Sequence, residues 1–167
     1  MARYKSAYFE IYEGVWRHGD WIEFNERGGC IIYGRSDSTI NRQGIRMGTS
    51  EIYQAVESLP EILDSLIIDL ELLGRESYMP LFVVLRDDAI LDDDLKQRIK
   101  KILRAEVSPR HVPNDIFQID AVPYTLSGKK MEVPVRKILL GCNIETSINM
   151  GAMRNPDSIA YFIDSQH

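Results

Sequence analysis

The spacing of apolar and polar residues changes several times along the chain and divides it into short elements. Residues 20–37 predict two strands joined by a polar turn at 25–29, which is a β-hairpin. Residues 38–48 are polar and interrupted by glycine, so they predict a second, looser ribbon. The aromatic-rich residues 1–21 predict no helix or strand of their own. We expect them to pack on a preceding part of a longer parent protein.

The remaining residues predict helices and strands in alternation. An apolar stripe at helical spacing indicates a helix with Thr49 as its N-cap and Pro60 at its end. Alternation over 65–73 indicates a half-exposed strand, and the apolar residues 80–86 indicate a central one. Three further elements follow: a helix opened by Asp92–Asp94, a strand at 116–120, and a helix at 134–140 stopped by Gly141. This order predicts an α+β fold, a small three-stranded sheet with packed helices, preceded by the hairpin.

Composition narrows the class of protein. With 167 residues, 44% of them apolar, the chain can bury the core of one ordinary domain. A net charge of −5 argues against a general affinity for nucleic acid or for anionic membranes. The longest apolar run, 81–85, is too short for a membrane span, and no signal peptide is visible. Cys30 and Cys142 lack metal-ligand spacing and predict reduced thiols in a cytoplasmic protein.

Three motifs stand out against this background. Residues 16–21 read WRHGDW, residues 33–53 read YGRSDSTINRQGIRMGTSEIY, and residues 123–130 read PYTLSGKK. In this order they resemble the signatures of the adenylate-forming acyl-CoA synthetase and ligase superfamily, and the middle motif is long and highly specific. The resemblance implies three parts: residues 1–36 remain from a large N-terminal adenylating domain, residues 37–145 form a mobile C-terminal domain, and residues 146–167 form a tail.

The resemblance also implies a reaction for the full-length parent. A carboxylate and ATP give an acyl-adenylate and pyrophosphate, and CoA then displaces AMP. The implied cofactors are ATP, Mg²⁺ and CoA, and the implied partner is the chain's own N-terminal domain, which these residues do not include. His18 and Glu132 replace the threonine and arginine usual in the acetate and propionate branch. Residues 107–113, 125–141 and 155–162 resemble the acetoacetate-activating branch, so the resemblance makes acetoacetate the expected substrate. The alternatives are another short- or medium-chain acid or a non-catalytic interaction module of the same fold.

The first group of candidate residues concerns adenylation. On its own the Ser-Gly-Lys-Lys stretch predicts an exposed basic turn. The resemblance makes Lys129 the catalytic cation at the α-phosphate, for which a point charge on a long stem is suited, and leaves Lys130 as a solvated neighbour. It gives Asp20 and Arg35 the role of holding the ribose. The alternatives are an ordinary turn aspartate for Asp20 and a surface ion pair with Asp37 for Arg35.

The second group concerns domain rotation and the thioester step. The resemblance makes Asp37 the hinge, although a turn cap is its ordinary role. It places Gly44 in the pantetheine channel, where a residue without Cβ lets the thiol arm pass. Arg46 and Arg104 fall where relatives bind phosphate, and Arg104 is equally well explained as a helix-terminal cation. The histidines form no triad or metal site by spacing and are interpreted as structural: His18, His111 and His167.

Overall fold

The computed structural model describes residues 2–35, 40–42, 45–70 and 77–165. The helices are α1 (Ala2–Phe9), α2 (Thr49–Glu57), α3 (Asp93–Ile102), α4 (Glu132–Leu139), α5 (Ile144–Ser147) and α6 (Ala160–Asp164). The strands are β1 (Asp20–Phe24), β2 (Cys30–Arg35), β3 (Ile40–Arg42), β4 (Ile45–Met47), β5 (Ile62–Ile67), β6 (Leu81–Leu85) and β7 (Ile116–Gln118). A π-helix, Leu103–Val107, continues α3.

The strands form three separate sheets in the described residues. β1 and β2 pair as the predicted hairpin, and its turn is closed by Asn25, whose side-chain oxygen accepts from the backbone N–H of Arg27 and of Gly29. β3 and β4 form the second ribbon. The third sheet has the order β5-β6-β7, with β6 antiparallel to β5 and parallel to β7. The predicted α+β fold with a three-stranded sheet and a preceding hairpin is confirmed.

The central strand β6 divides the core in two. Successive side chains of a strand point to opposite faces, so Leu81, Val83 and Leu85 join one apolar cluster while Phe82 and Val84 join the other. The first cluster is covered by α2 and α3 and the second by α4 and α6. Burial of each large side chain contributes about 1.5–3 kcal/mol to folding. Both faces of the sheet are thus covered, which is why β6 is apolar throughout.

The N-terminal residues differ from the sequence-based expectation. Residues 1–21 predicted no helix, but α1 forms over Ala2–Phe9. The chain after α1 returns to it: the backbone N–H of Arg17 donates to the carbonyl of Tyr8 at 2.8 Å. The Trp16 ring packs edge-on against Tyr8, with 5.9 Å between centroids. These contacts with Trp16 and Arg17, rather than an apolar stripe, stabilise the helix, and periodicity does not detect such contacts.

The first strand of the central sheet was predicted too late in the sequence. β5 covers Ile62–Ile67, whereas the prediction placed a strand at 65–73, of which residues 71–73 lie outside the described residues. The predicted half exposure is also wrong, because Leu66 and Ile67 point to opposite faces and both are buried under helices. Asp69, expected on a solvated face, is buried and accepts a hydrogen bond from the Ser77 hydroxyl.

Helix ends were predicted with mixed success. Thr49 is the first residue of α2 and not its N-cap, which is Gly48 without a side-chain bond. α4 begins at Glu132, two residues before the predicted Pro134, because the first-turn N–H groups have no intrahelical partner and a proline is tolerated there. Asp92 does cap α3, accepting from the Leu95 N–H at 2.8 Å. Gly141 ends the region of α4 with a φ of 79°.

Candidate active site

The loop 125–129 holds the backbone of Lys129 and leaves its side chain exposed. The Thr125 N–H donates to the Lys129 carbonyl at 2.9 Å, and the Lys129 N–H donates to the Thr125 hydroxyl oxygen at 3.0 Å. Gly128 has a φ of 78°, a left-handed conformation that strains other residues, and its N–H donates to the Thr125 carbonyl. Within the described residues the Lys129 ammonium has no hydrogen-bond or ion-pair partner. The loop therefore presents a cation ready for an anionic ligand.

Residues 152–155, near the C-terminus, are hydrogen-bonded to the base of this loop. The Leu126 N–H donates to the Ala152 carbonyl at 3.0 Å, and the Arg154 N–H donates to the Tyr124 carbonyl at 2.9 Å. The Asn155 side chain accepts from the Tyr124 N–H and donates to the carbonyl of Val122. Residues that the sequence assigned to a tail thus fix the base of the loop. The three-part division of the chain remains a prediction.

Lys130 is not solvated, and that prediction is wrong. Its ammonium lies 2.7 Å from Glu57 Oε1, 2.8 Å from Asp64 Oδ1 and 2.7 Å from the Ser65 carbonyl oxygen. It also lies 3.9 Å from the centroid of the Tyr53 ring, and its side chain is 17% exposed. Lys130 forms a β-bridge with Tyr124 at the end of the loop, whereas Lys129 lies in the loop and is exposed, so the two adjacent lysines have different surroundings.

Two tyrosines complete the surroundings of Lys130. The Tyr124 hydroxyl lies 2.9 and 3.1 Å from the two carboxylate oxygens of Asp64. The Tyr53 hydroxyl donates to Glu132 Oε1 at 2.5 Å. Burial, followed by the neighbouring carboxylates, raises the pKa of both tyrosines, so both remain protonated donors at neutral pH. Sequence interpretation missed this cluster because its strand prediction excluded Asp64.

The second candidate region lies at the start of the hairpin. Asp20 opens β1, and its backbone pairs with that of Arg35 at the end of β2. His18 Nδ1 lies 2.5 Å from Asp20 Oδ2, while the Asp20 side chain keeps 24% of its surface exposed. The sequence interpretation left His18 without a functional neighbour. Gly19 between the two residues has a φ of 87°, in the left-handed region, so strand alternation does not predict their contact.

The other predicted residues lie elsewhere. Arg46 is in β4, opposite Asn41, and Arg104 is an exposed residue of the π-helix. Asp37 and Gly44 lie outside the described residues. In the described part of the chain, Asp20, Arg104 and Lys129 stand on three separate elements. The register pairs the backbones of Asp20 and Arg35, and the roles predicted for all these residues remain predictions.

His111 is a buried histidine beside the ribbon that leads to α2. Its Nδ1 lies 2.7 Å from the Ser108 hydroxyl, and its Nε2 lies 4.0 Å from Glu51 Oε2. Nε2 is buried and has no hydrogen-bond partner among the described residues. Burial lowers the pKa of His111 below its ordinary value, although the Glu51 carboxylate acts in the opposite direction.

A pH dependence of stability follows from His111. Folding lowers the pKa of His111, so its neutral ring should contribute fully to the free energy of unfolding above about pH 6.5. That contribution should be lost as the pH falls through the pKa of the folded state. We expect the thermal unfolding midpoint of the chain to fall between pH 7.5 and 5, and to fall less in His111→Asn. Titration of the ring by NMR should give a pKa under 6.5. Equal slopes for the two proteins, or a pKa at or above 6.5, would contradict this assignment.

Comparison with known proteins supplies the class. No protein-family model matches the chain. The acetoacetyl-CoA synthetase of Macaca fascicularis is 40% identical over 164 residues, 98% of this chain and 24% of that protein. The solved acetoacetyl-CoA synthetase of Streptomyces lividans is 46% identical, with a TM-score of 0.89, over 98% of this chain and 24% of that one. An anthranilate CoA ligase solved with anthranoyl-AMP shares the fold, with a TM-score of 0.67 at 18% identity over 83% of this chain and 26% of that one.

These similarities define first a class and then a position within it. The chain belongs to the adenylate-forming CoA ligases and corresponds to the C-terminal domain of the acetoacetyl-CoA synthetases among them. It spans about a quarter of the length of the relatives it matches. Activity, substrates and partners of the whole protein are therefore matters for a proposal.

Proposed function

We propose that this chain is the C-terminal domain of an ATP-dependent acid–CoA ligase that activates acetoacetate. The observation that carries the proposal is the Lys129 loop, with a fixed backbone and an exposed ammonium without a described partner. The names of the relatives support acetoacetate as the acid. Residues 37–145 would be the mobile domain, docking on the N-terminal adenylating domain of the parent.

In the first half-reaction a carboxylate oxygen of acetoacetate attacks the α-phosphorus of ATP. A new P–O bond forms, the bond to the bridging oxygen breaks, and pyrophosphate leaves. Both reactants are anions, so repulsion opposes their approach and negative charge accumulates at the phosphorus. The Lys129 ammonium would lie against that charge and stabilise it.

The hairpin supplies the proposed nucleotide contacts. A carboxylate can accept hydrogen bonds from two adjacent ribose hydroxyls, and the partly exposed carboxylate of Asp20 fits that role. His18 would hold one carboxylate oxygen in place, and Arg35 would reinforce the contact. Within the described residues, no three His, Cys, Asp or Glu side chains form a group able to hold a metal ion. The proposed Mg²⁺ would be bound in part through the ATP phosphates.

In the second half-reaction the CoA thiol attacks the acyl carbon. A C–S bond forms, the C–O bond to AMP breaks, and the thiol proton passes to solvent. The domain would first rotate about Asp37 and withdraw the Lys129 loop. Gly44 would then line the pantetheine channel, with Arg46 and Arg104 near the CoA phosphates.

The working location proposed for the parent is the cytoplasm. Both cysteines, Cys30 and Cys142, are free and exposed, which fits a reducing compartment. In the described part of the chain, no helix combines the length and the hydropathy needed to cross a bilayer.

The competing interpretation of the function is a stand-alone interaction module of the same fold. A reading frame that continues upstream of Met1 into an adenylating domain would exclude that module.

The chain by itself should not catalyse the overall reaction. The ATP phosphate loop and the acyl pocket belong to the N-terminal domain of this class, and without them the reactants are not positioned. We expect no AMP above background from acetoacetate, ATP and CoA with the purified chain, and clear AMP release with the full-length parent. Turnover by the chain alone would refute the proposed division of labour. An inactive, correctly folded parent would refute the proposed ligase activity.

A further inference from the structure

The cluster around Lys130 lies where the two ends of the loop 125–129, the Lys129 loop, come together; we call this point the neck of the loop. Tyr124 and Lys130 face each other across the β-bridge from which residues 125–129 extend. Both side chains bind the same carboxylate: the Tyr124 hydroxyl reaches both oxygens of Asp64, and the Lys130 ammonium lies 2.8 Å from Oδ1. We call these three residues the Asp64 clamp. Since Asp64 belongs to β5, the clamp ties the neck directly to the central sheet.

Two further contacts restrict the position of the Lys130 ammonium. Its ammonium also lies 2.7 Å from Glu57 Oε1 on α2 and from the carbonyl oxygen of Ser65 on β5. A helix and a strand therefore fix the same ammonium from two directions. The residue directly before it is Lys129, so its Cα can shift little while Lys130 stays in place.

Charge explains why a cation is needed at this point. The side chains of Glu57 and Asp64 are only 33% and 21% exposed and both lie within 2.8 Å of the Lys130 ammonium. Without that ammonium, two carboxylates would remain close together with reduced solvation. Such an unpaired arrangement is unfavourable and is relieved by moving the groups apart. Movement of Asp64 would take Tyr124 with it and would open the neck of the loop.

We propose that Lys130, through the Asp64 clamp, positions Lys129 for the adenylation step. Lys130 is a positioning residue and not a catalytic one, because its ammonium is paired with Glu57 and Asp64 and its side chain is only 17% exposed, whereas Lys129 is exposed. This inference rests on the proposed function. It separates two adjacent lysines by role: Lys129 acts at the phosphate, and Lys130 keeps Lys129 there.

Two variants of the full-length parent test the clamp. Lys130→Met removes the ammonium and keeps an unbranched side chain, and Tyr124→Phe removes one hydroxyl at nearly constant volume. We expect single-turnover adenylation to slow by roughly 10–100-fold in Lys130→Met and by less in Tyr124→Phe, since a misplaced catalytic group loses rate steeply. The thioester step, started from synthetic acetoacetyl-adenylate, should stay within about twofold of the wild type. Lys137→Met, at an exposed position of α4, carries the same charge change and should leave both steps unchanged.

A double variant distinguishes positioning from a general structural role. If Lys130 acts through Lys129, adding Lys130→Met to Lys129→Ala should slow adenylation no further, because the group being positioned is already gone. A purely structural defect would lower both half-reactions and would add to Lys129→Ala. Equal loss in both half-reactions, or full additivity, would overturn the proposal. If Lys130→Met fails to fold, the same cycle with Tyr124→Phe gives the answer. A Lys129→Ala variant with normal adenylation would instead refute the proposed function of the loop.

Discussion

Lys129→Ala in the full-length parent should slow adenylation by roughly 10²–10³-fold, the size typical of losing one electrostatic contact in a transition state. The structural basis is the loop 125–129, whose hydrogen bonds involve the backbone of Lys129 and the Thr125 hydroxyl. The Lys129 ammonium takes no part in them. Its removal should therefore leave the fold intact and remove only the charge at the α-phosphate.

Two measurements make this expectation specific. Adenylation is followed by pyrophosphate exchange and by single-turnover formation of the adenylate. The thioester step is followed separately from synthetic acetoacetyl-adenylate, and it should be nearly normal because the proposed domain rotation withdraws the loop before that step. Lys137→Ala is the matched control, an exposed lysine on the neighbouring helix α4. Parallel loss in both half-reactions would show that Lys129 is not specific to adenylation.

Local signals in the sequence were sufficient for much of the fold. The unbroken apolar run at 81–85 indicated a strand covered on both faces, and β6 is the central strand. The run Asp92–Asp94 indicated the start of a helix, and in the structure Asp92 is its N-cap, where a short acceptor side chain satisfies a first-turn N–H. The hairpin turn followed from Asn25 and the glycines after it. Each of these signals depends on residues a few positions apart.

The predictions that failed depend on contacts between residues farther apart in the sequence. Lys130 is held by Glu57 and Ser65, which are 73 and 65 positions away in the sequence. α1 depends on contacts with Trp16 and Arg17, and its own residues show little amphipathic pattern. Contacts of this kind arise from the assembled fold, so periodicity and capping do not reveal them. The motifs selected Asp20 and Lys129. The contact of His18 with Asp20, and the contacts of Asp64 with Tyr124 and Lys130 beside the Lys129 loop, became visible only in the structure.

Described residues on both strands of the β3–β4 ribbon make contacts with the rest of the domain. Ile40 and Met47, which face each other at the open end of the ribbon, are both buried in the core. The Arg42 guanidinium donates to the carbonyl oxygens of Arg110 and Val112, at 3.1 and 2.7 Å. The ribbon is thus anchored at its base by apolar burial and nearer its tip by an arginine. Gly44 follows Arg42 by two residues in the sequence.

Gly44→Leu in the full-length parent should therefore act locally. The anchors at Ile40, Met47 and Arg42 do not involve residue 44, so the ribbon should keep its place. A leucine side chain would occupy the path proposed for the pantetheine arm, and a displaced thiol reacts slowly. We expect the thioester step to fall by about 10²-fold or more, with adenylation within about twofold of the wild type.

Substitutions of graded size test this explanation. Gly44→Ala should give an intermediate loss in the thioester step, because one methyl group narrows the channel less than an isobutyl group does. Both variants should unfold at the temperature of the wild type. Pyrophosphate exchange and CoA ester formation are measured on the same preparations. If Gly44→Leu lowers both half-reactions equally, residue 44 contributes to the stability of the ribbon and not to a channel used only after the domain has rotated.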